Sequence, residues 1–369
     1  MTKSATKEGT TRYAQKFAGR AAADHFREAH RLVLSSLGIG TYLGQPDAKT
    51  DEGYAAAAVV AVESGINVMD AAINYRFQRS ERSIGTAIKQ LAAKGFDREE
   101  IVLCTKGGYL TPDGSMPADP NEYFFHEYIQ PGVFTAKDIA GGSHCMTPKF
   151  LKNQLGRSLK NLGVECVDVY YLHNPETQLS EVSKEEFLSR VREAFTFLES
   201  AVEAGEIQYY GMATWNGFRV DARARDAMQL GEIAQVAQEI AGGRHRFRFV
   251  QVPFNLGMTE ALTLGNQSLR GHHRTIMEAA SELDISLIAS ASLLQGQVAK
   301  NLPEFVAEAL GLGNDAERAL QFVRSSPGIT TALVGMSRSE HVRANARLVN
   351  VPPATVDEFS KLFARGEGA

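Results

Sequence analysis

The sequence predicts an α/β chain folded as a (β/α)8 TIM barrel, and three observations carry that prediction. Short apolar β-type runs alternate with longer helical patterns along most of the 369 residues, the signature of parallel strands joined by crossover helices. The alternation repeats eight times, more than an open doubly wound sheet commonly needs. The length also falls inside the ~200 to 400 residues that such a barrel with insertions occupies as one unit.

Taken in order, the expected strands are 35–39, 67–70, 101–106, 167–172, 208–213, 249–253, 286–289 and 331–335. Helix-like segments follow them at 53–64, 82–93, 149–162, 184–204, 222–240, 274–283, 316–325 and 340–348, with a closing helix at 356–364. Three connections exceed the usual short βα loop: 107–147 after the third strand, 255–271 after the sixth and 293–315 after the seventh. All three leave C-terminal strand ends, where barrel active sites are built. The insertion 107–147, with its aromatic run Asn121-Glu-Tyr-Phe-Phe-His-Glu-Tyr128, is expected to form a lid or a small subdomain. Residues 1–30 are polar and mixed in charge and are expected to be a flexible leader, ahead of a single barrel domain at 31–369.

Composition narrows the function. A net charge of −4 with scattered basic residues gives no footprint for nucleic acid or an anionic membrane, so small-molecule partners are expected. Cys104, Cys145 and Cys166 are too few for a disulfide framework and form no C-x-x-C pair. No apolar run reaches the ~18 residues of a membrane span, and the first residues lack a secretory core; a cytoplasmic location follows as the expectation. His272-His273 and His144-Cys145 lack further ligands at useful spacing, so no metal site is expected.

In a barrel, groups at the ends of different strands converge on one mouth. The second strand ends in Asp70 and Tyr75, the third in Lys106, and the fourth in His173. Such a set suits proton delivery to a carbonyl oxygen while a hydride arrives at its carbon. A free tyrosine, with a pKa of about 10, holds its proton tightly, and a neighbouring cation favours the phenolate. Lys106 is expected to be that cation, Asp70 to keep it charged and aimed, and His173 to orient the substrate oxygen. Singly, each residue is more often a cap, an ion-pair member or a structural histidine. Their joint occurrence on consecutive strands favours chemistry.

These residues resemble the aldo-keto reductase superfamily. Its Asp-x-Ala, Asn-Tyr and Arg-Ser-Glu-x-x-x-Gly pattern is matched by Asp70, Ala72, Asn74, Tyr75, Arg79, Ser80, Glu81 and Gly85, with further landmarks at 38–42, Lys106, 168–173, 250–255 and 333–338. The resemblance implies a barrel that binds NADP(H), with NAD(H) as the alternative, and reduces an aldehyde, ketone or sugar reversibly. It assigns Tyr75 as general acid, Lys106 and Asp70 as its tuning pair and His173 as the carbonyl-orienting residue.

For the cofactor, the resemblance implies that Gly40, Thr41 and Tyr42 border the nicotinamide end and that Gln251 holds the carboxamide. Ala213 and Thr214 stand where a Ser-Asn pair is usual, and Thr214 retains a hydrogen-bonding group; Ser290 replaces a stacking aromatic. The same resemblance implies that Gly335 and Ser337 approach the adenosine phosphate, Asn345 the adenine and Arg338 a 2′-phosphate, while His341 takes a position where Arg or Gln is found. Two other outcomes are carried forward: a sugar dehydrogenase working mainly in the oxidative direction, and a cofactor-sensing regulatory subunit with little turnover. The stretch 38–44 is one residue too long for a Rossmann glycine fingerprint.

Overall fold

The computed structural model describes residues 3–363; the first two residues of the expected leader and the last residue of the expected closing helix lie outside the described residues. Eight parallel strands close a barrel in chain order: β1 Leu37–Gly40, β2 Val68–Asp70, β3 Val102–Gly107, β4 Val167–His173, β5 Ile207–Ala213, β6 Phe247–Pro253, β7 Ser286–Ser290 and β8 Ile329–Gly335. Ala332 of β8 pairs with Leu37 of β1, which closes the sheet without an edge. The helices that follow the strands are α1 Ala48–Glu63, α2 Arg79–Ala93, α3 Pro148–Leu162, α4 Lys184–Glu203, α5 Leu230–Ala241, α6 Ile276–Glu282, α7 Asp315–Ser325 and α8 Ser339–Asn345. Several starts are capped locally, by Asp47 on the Thr50 amide, Ser183 on Glu186 and a Thr275–Glu278 capping box.

Strand alternation builds the interior. Val68, Val102, Cys104, Val169, Tyr171, Tyr209, Phe249, Ile288 and Leu333 pack together inside the barrel. Their neighbours along each strand, such as Met69, Leu103, Tyr170 and Val250, pack outward against the helices.

Several segments differ from expectation. Residues 3–30 are integral to the fold: helix Lys7–Gln15 and the antiparallel hairpin Phe26–Ala29 with Leu32–Ser35 close the base of the barrel. Ala5, Ala29, Leu32 and Leu34 join the interior cluster as a plug. Tyr13 is fully buried, donating to the Val62 carbonyl at 2.6 Å, and the Ala5 amide donates to Asp168 at 2.7 Å. The segment looks like a leader because its few apolar residues are dispersed among charges, yet Ala5, Tyr13, Phe17 and Phe26 all face inward on folding. The expected start of α5 at 222 gives way to a turn region up to Gln229. There Arg225 donates to the carbonyls of Leu179 and Ser180, and Gln267 accepts from the Leu230 amide.

The long connections carry their own structure. Segment 107–147 contains helix Pro120–Phe124, a π-turn at Phe125–Ile129 and the short helix Ala136–Asp138. It builds a satellite core of Tyr128, Phe134 and Cys145 on Phe150 of α3. It lies along the flank of α3, tied by Glu127 to Arg157 at 2.6 Å, rather than lying over the mouth as a lid. Segment 255–271 leads into a small hairpin, Gln267–Leu269 with His272–Arg274, and segment 293–315 includes the unanticipated helix Glu304–Leu310.

At the base, His25 bridges the Ser36 hydroxyl and the Gly65 carbonyl, at 2.9 Å each. Burial, opposed by the hydrogen bond to Gly65 and reinforced by the Arg324 and Arg27 charges, lowers its pKa from the ordinary 6.5 to about 4. The stability that the neutral ring contributes is therefore complete above pH 6.5 and is lost as the pH falls from 6.5 through 4, because the unfolded chain takes up the proton first. Equilibrium denaturation of the protein and its His25→Gln variant should give stabilities that converge by about 3 kcal/mol between pH 7 and pH 4. A constant gap across that range would show that His25 is not held neutral.

Candidate active site

Asp70, Lys106 and His173 are the last inward-facing positions of β2, β3 and β4, and Gln251 follows Phe249 on the inner face of β6, above the apolar interior. Register staggers them from strand to strand: Asp70 pairs with Cys104, one inward position before Lys106; Lys106 pairs with Tyr171, one before His173; and His173 pairs with Ala213, itself opposite Gln251. The Lys106 ammonium, fully buried, donates to Asp70 Oδ2 at 2.5 Å and to the Ala71 carbonyl at 2.9 Å. The other carboxylate oxygen, Oδ1, accepts from Gln251 Nε2 at 3.0 Å. An unpaired ammonium here would carry a heavy desolvation cost, so the pair is required for this burial.

Tyr75 reaches the layer from the loop after β2. Its ring centroid lies 4.8 Å from Lys106 Nζ, 5.6 Å from the His173 ring and 5.0 Å from Tyr42. The next three residues, Arg76, Phe77 and Gln78, hold left-handed backbone at φ +48°, +58° and +70°, a strain of roughly 1–3 kcal/mol apiece that only a firm surround sustains. That surround is visible: Arg76 donates to the Thr41 carbonyl at 2.6 Å and stacks on Tyr54, Arg79 pairs with Asp51 at 2.7 Å, and buried Glu81 accepts from Thr105 and Asn161.

The electrostatics modify the expectation for Tyr75. Burial raises its phenol above the ordinary 10; Lys106 pulls downward by charge and hydrogen bonding, as the sequence implies, but does not outweigh burial and Asp70. Lys106 stays charged: burial lowers its pKa, yet Asp70 and Tyr75 more than compensate. Burial, then the Lys106 charge and His144, push His173 well below its usual value, which makes it a neutral imidazole. Its Nδ1 lies 3.2 Å from Asn74 Oδ1.

These groups surround a cavity of about 880 Å³, toward the upper end of the ~300–1,000 Å³ usual for ligand sites. Asp70, Tyr75 and His173 line it, with Lys106 behind them. Gly40, Thr41, Tyr42, Thr214, Gln251, Gly335, Ser337, His341 and Asn345 border it as well. Arg338 does not; it stands exposed at the start of α8, with Nη2 2.6 Å from His341 Nε2. The Thr41 hydroxyl is already engaged, with the Asp70 carbonyl at 2.9 Å and Ser80 at 2.5 Å.

Residues not singled out from the sequence complete the walls. Tyr109, the one contribution of segment 107–147, packs edge-on to His173 at 5.2 Å. Trp215, 44% exposed, faces the cavity beside Ala213. It is held by buried Glu176, whose Oε1 accepts from the Trp215, Asn216 and Gly217 amides at 2.6, 3.0 and 3.3 Å. The signal for Glu176 is its place in His173-Asn-Pro-Glu176; nothing in the sequence marks Trp215. Among the described residues no group of three or more His, Cys, Asp or Glu side chains could hold a metal ion, and no helix is long and apolar enough to cross a membrane.

Removing Asp70 would leave Lys106 as a buried charge with one carbonyl partner. Asp70→Asn should lower the unfolding free energy by about 3 kcal/mol, and the double variant Asp70→Asn/Lys106→Met should recover most of that loss in urea denaturation. Equal stability of the single variant and the parent would mean that the ammonium is not charged in the fold.

A sequence profile described as the Aldo/keto reductase family matches residues 36–364. The chain is 26% identical over 314 residues to the putative voltage-gated potassium channel subunit beta of Schizosaccharomyces pombe, covering 82% of this chain and 80% of that one. It is 23% identical over 344 residues to the 6-dehydroglucose reductase of Novosphingobium aromaticivorans, covering 91% and 93%. Among solved structures, an aldo/keto reductase from Klebsiella pneumoniae in complex with NADP and acetate matches with a TM-score of 0.60 at 18% identity, covering 93% and 96%, a likeness of fold. With the profile spanning most of the chain over a closed eight-stranded barrel, the protein belongs to the Aldo/keto reductase family and is an NAD(P)-dependent oxidoreductase of that type.

Proposed function

We propose that the protein is an NADP(H)-dependent oxidoreductase for aldehydes, ketones or sugars in which Tyr75 exchanges the proton with the substrate oxygen. The observation that carries this reading is the convergence of Tyr75, the Lys106–Asp70 pair and His173 on one cavity. The residues fit the cofactor by their chemistry. Gln251 spends its amide nitrogen on Asp70, which leaves its carbonyl to receive a carboxamide N–H. Ser337, Gly335 and Asn345 line the cavity, and Arg338, outside its wall, is exposed and reaches His341, which does line it. The nicotinamide, when bound, supplies or accepts the hydride.

Tyr75 gives its proton to the oxygen as negative charge builds there, and Lys106 stabilises the phenolate left behind. Asp70 holds Lys106 in place and keeps it charged. His173 is neutral, and its ring, steadied by the contact of Nδ1 with Asn74 Oδ1, orients the substrate oxygen. In the oxidative direction Tyr75 accepts the proton along the same path. Tyr75→Phe should reduce turnover by about 1,000-fold, while the cofactor dissociation constant, read from NADPH fluorescence, stays within about threefold. Undiminished turnover would remove Tyr75 from the mechanism.

The preference for NADP rests on Arg338, whose planar guanidinium suits a 2′-phosphate, and on the NADP held by the Klebsiella pneumoniae structure. Arg338→Ala should raise the KM for NADPH about tenfold, the equivalent of one charged hydrogen bond, and leave that for NADH unchanged. A parallel rise with both cofactors would assign Arg338 no role at the phosphate. For the substrate, the amides of Asn74 and Asn174 and the rings of Tyr109 and Trp215 favour a hydroxyl-rich molecule, in keeping with the relative named as a 6-dehydroglucose reductase.

A second reading, a cofactor-sensing subunit, is favoured by the relative named as a potassium channel subunit beta. It is distinguished by negligible turnover across a carbonyl panel together with recovery of a stoichiometric partner.

A further inference from the structure

The connection 107–147 covers no part of the mouth beyond Tyr109, yet its return limb sends one imidazole into the barrel top. His144 is completely buried. Its Nε2 lies 2.8 Å from the His173 carbonyl oxygen, and its Nδ1 lies 2.7 Å from Gln178 Nε2. Gln178 cannot turn its amide over, because its Oε1 accepts from Arg190 Nη1 at 2.6 Å and its Nε2 also donates to the His144 carbonyl. Gln178 therefore donates to Nδ1, which leaves the proton of a neutral ring on Nε2, aimed at the His173 carbonyl. Burial holds His144 at about 4, so the neutral ring is the resident form near pH 7.

Both limbs of the insertion are built around that contact. On the outgoing limb Gly108 is fixed by Gln154, which accepts from its amide at 2.7 Å and donates to the Tyr109 carbonyl at 2.6 Å. The return limb pairs back across it, Cys145 N to Gly108 O and Leu110 N to Ser143 O, at 2.8 Å each. Gly108 has φ +140°, and a Cβ there would stand 2.8 Å from His144 Nε2 and 3.1 Å from the His173 oxygen. Only a bare backbone lets the imidazole reach the strand end. His144 also packs edge-on against Tyr109, whose ring lies against His173.

We propose that His144 is a positioning residue for the reaction: segment 107–147 acts as a buttress that fixes the end of β4, and through it the His173 ring, rather than as a lid. The chain of contacts runs from Arg190 through Gln178 and His144 to the His173 carbonyl. His144 touches no reacting atom. The proposal rests on the reading that His173 orients the substrate oxygen.

The test is a double-variant cycle on the full chain with NADPH and 4-nitrobenzaldehyde. His144→Ala should lower kcat by about 10- to 100-fold, the scale of a small misplacement of a reacting group, with NADPH affinity within about twofold. His144→Gln, whose amide restores an N–H toward the His173 carbonyl, should regain most of the loss. On a His173→Ala background the His144→Ala change should cost less than about twofold, because the group through which it acts is gone. Full additivity of the two changes, equal losses for the Ala and Gln variants, or a lowered thermal midpoint with kcat unchanged would overturn the proposal. A His173→Ala enzyme as fast as the parent would instead overturn the role of His173 itself, which separates the two failures. Should His144→Ala not fold, Arg190→Gln frees the Gln178 amide from the protein's flank; a severalfold fall in kcat supports the buttress, and an unchanged kcat overturns it.

Discussion

An ammonium without access to water governs the design of this barrel mouth. Lys106 ends a strand whose other inward residues are Val102 and Cys104, so its charge is stable only against Asp70 one strand away. That pairing requires β2 and β3 in register, and the second oxygen of Asp70 is then satisfied from β6 by Gln251. Three strands remote along the chain are thus joined through one carboxylate. The ion pair is costly to bury, and it fixes a positive charge beside the Tyr75 phenol, in surroundings where charges act strongly on one another.

The opposite end of the barrel obeys a different rule. Buried Asp168, at the base of β4, receives the Ala5 and Leu103 amides, Arg98 and Gln208, and so ties the first residues of the chain to three strands. Arg324, also buried, donates to the carbonyls of Leu348 and Val351 and so holds the turn after α8 to α7. These contacts serve closure of the base. At the mouth, by contrast, Tyr75, His173 and Gln251 keep faces open to a cavity. Stability and chemistry are thereby separated along the barrel axis.

The long βα connections divide their work. The segment after β7 supplies much of the cavity wall, with left-handed backbone at Ala291, Leu294 and Gln295, whereas the segment after β3 lies along α3 and acts on the site through Tyr109 and His144. Length alone did not distinguish them. What separates the two is where their apolar residues find cover: Tyr128 and Phe134 pack on Phe150 at the barrel's flank, which draws that insertion away from the mouth.

The eight strands were legible because each is a short apolar run bounded by a helix of different period, and periodicity is a local property. Asp70, Lys106 and His173 were legible for the same reason, since a polar group closing an apolar strand stands out. Tyr75 was legible only with its Asn-Tyr and Ser-Glu neighbours, since its approach depends on three left-handed residues that no propensity announces. Dispersed contacts were not legible: the plug formed by residues 3–30, the flank position of segment 107–147, the Glu176 clamp on Trp215 and the standing of Arg338 outside the cavity wall. The amino-acid sequence by itself determined the strand order and the groups at each strand end, because alternation and chain direction follow from neighbours. Tertiary structure alone decided which polar atoms lose water and which keep it, because desolvation belongs to the whole surround, and on that loss depend the neutral His173, the charged Lys106 and the raised Tyr75.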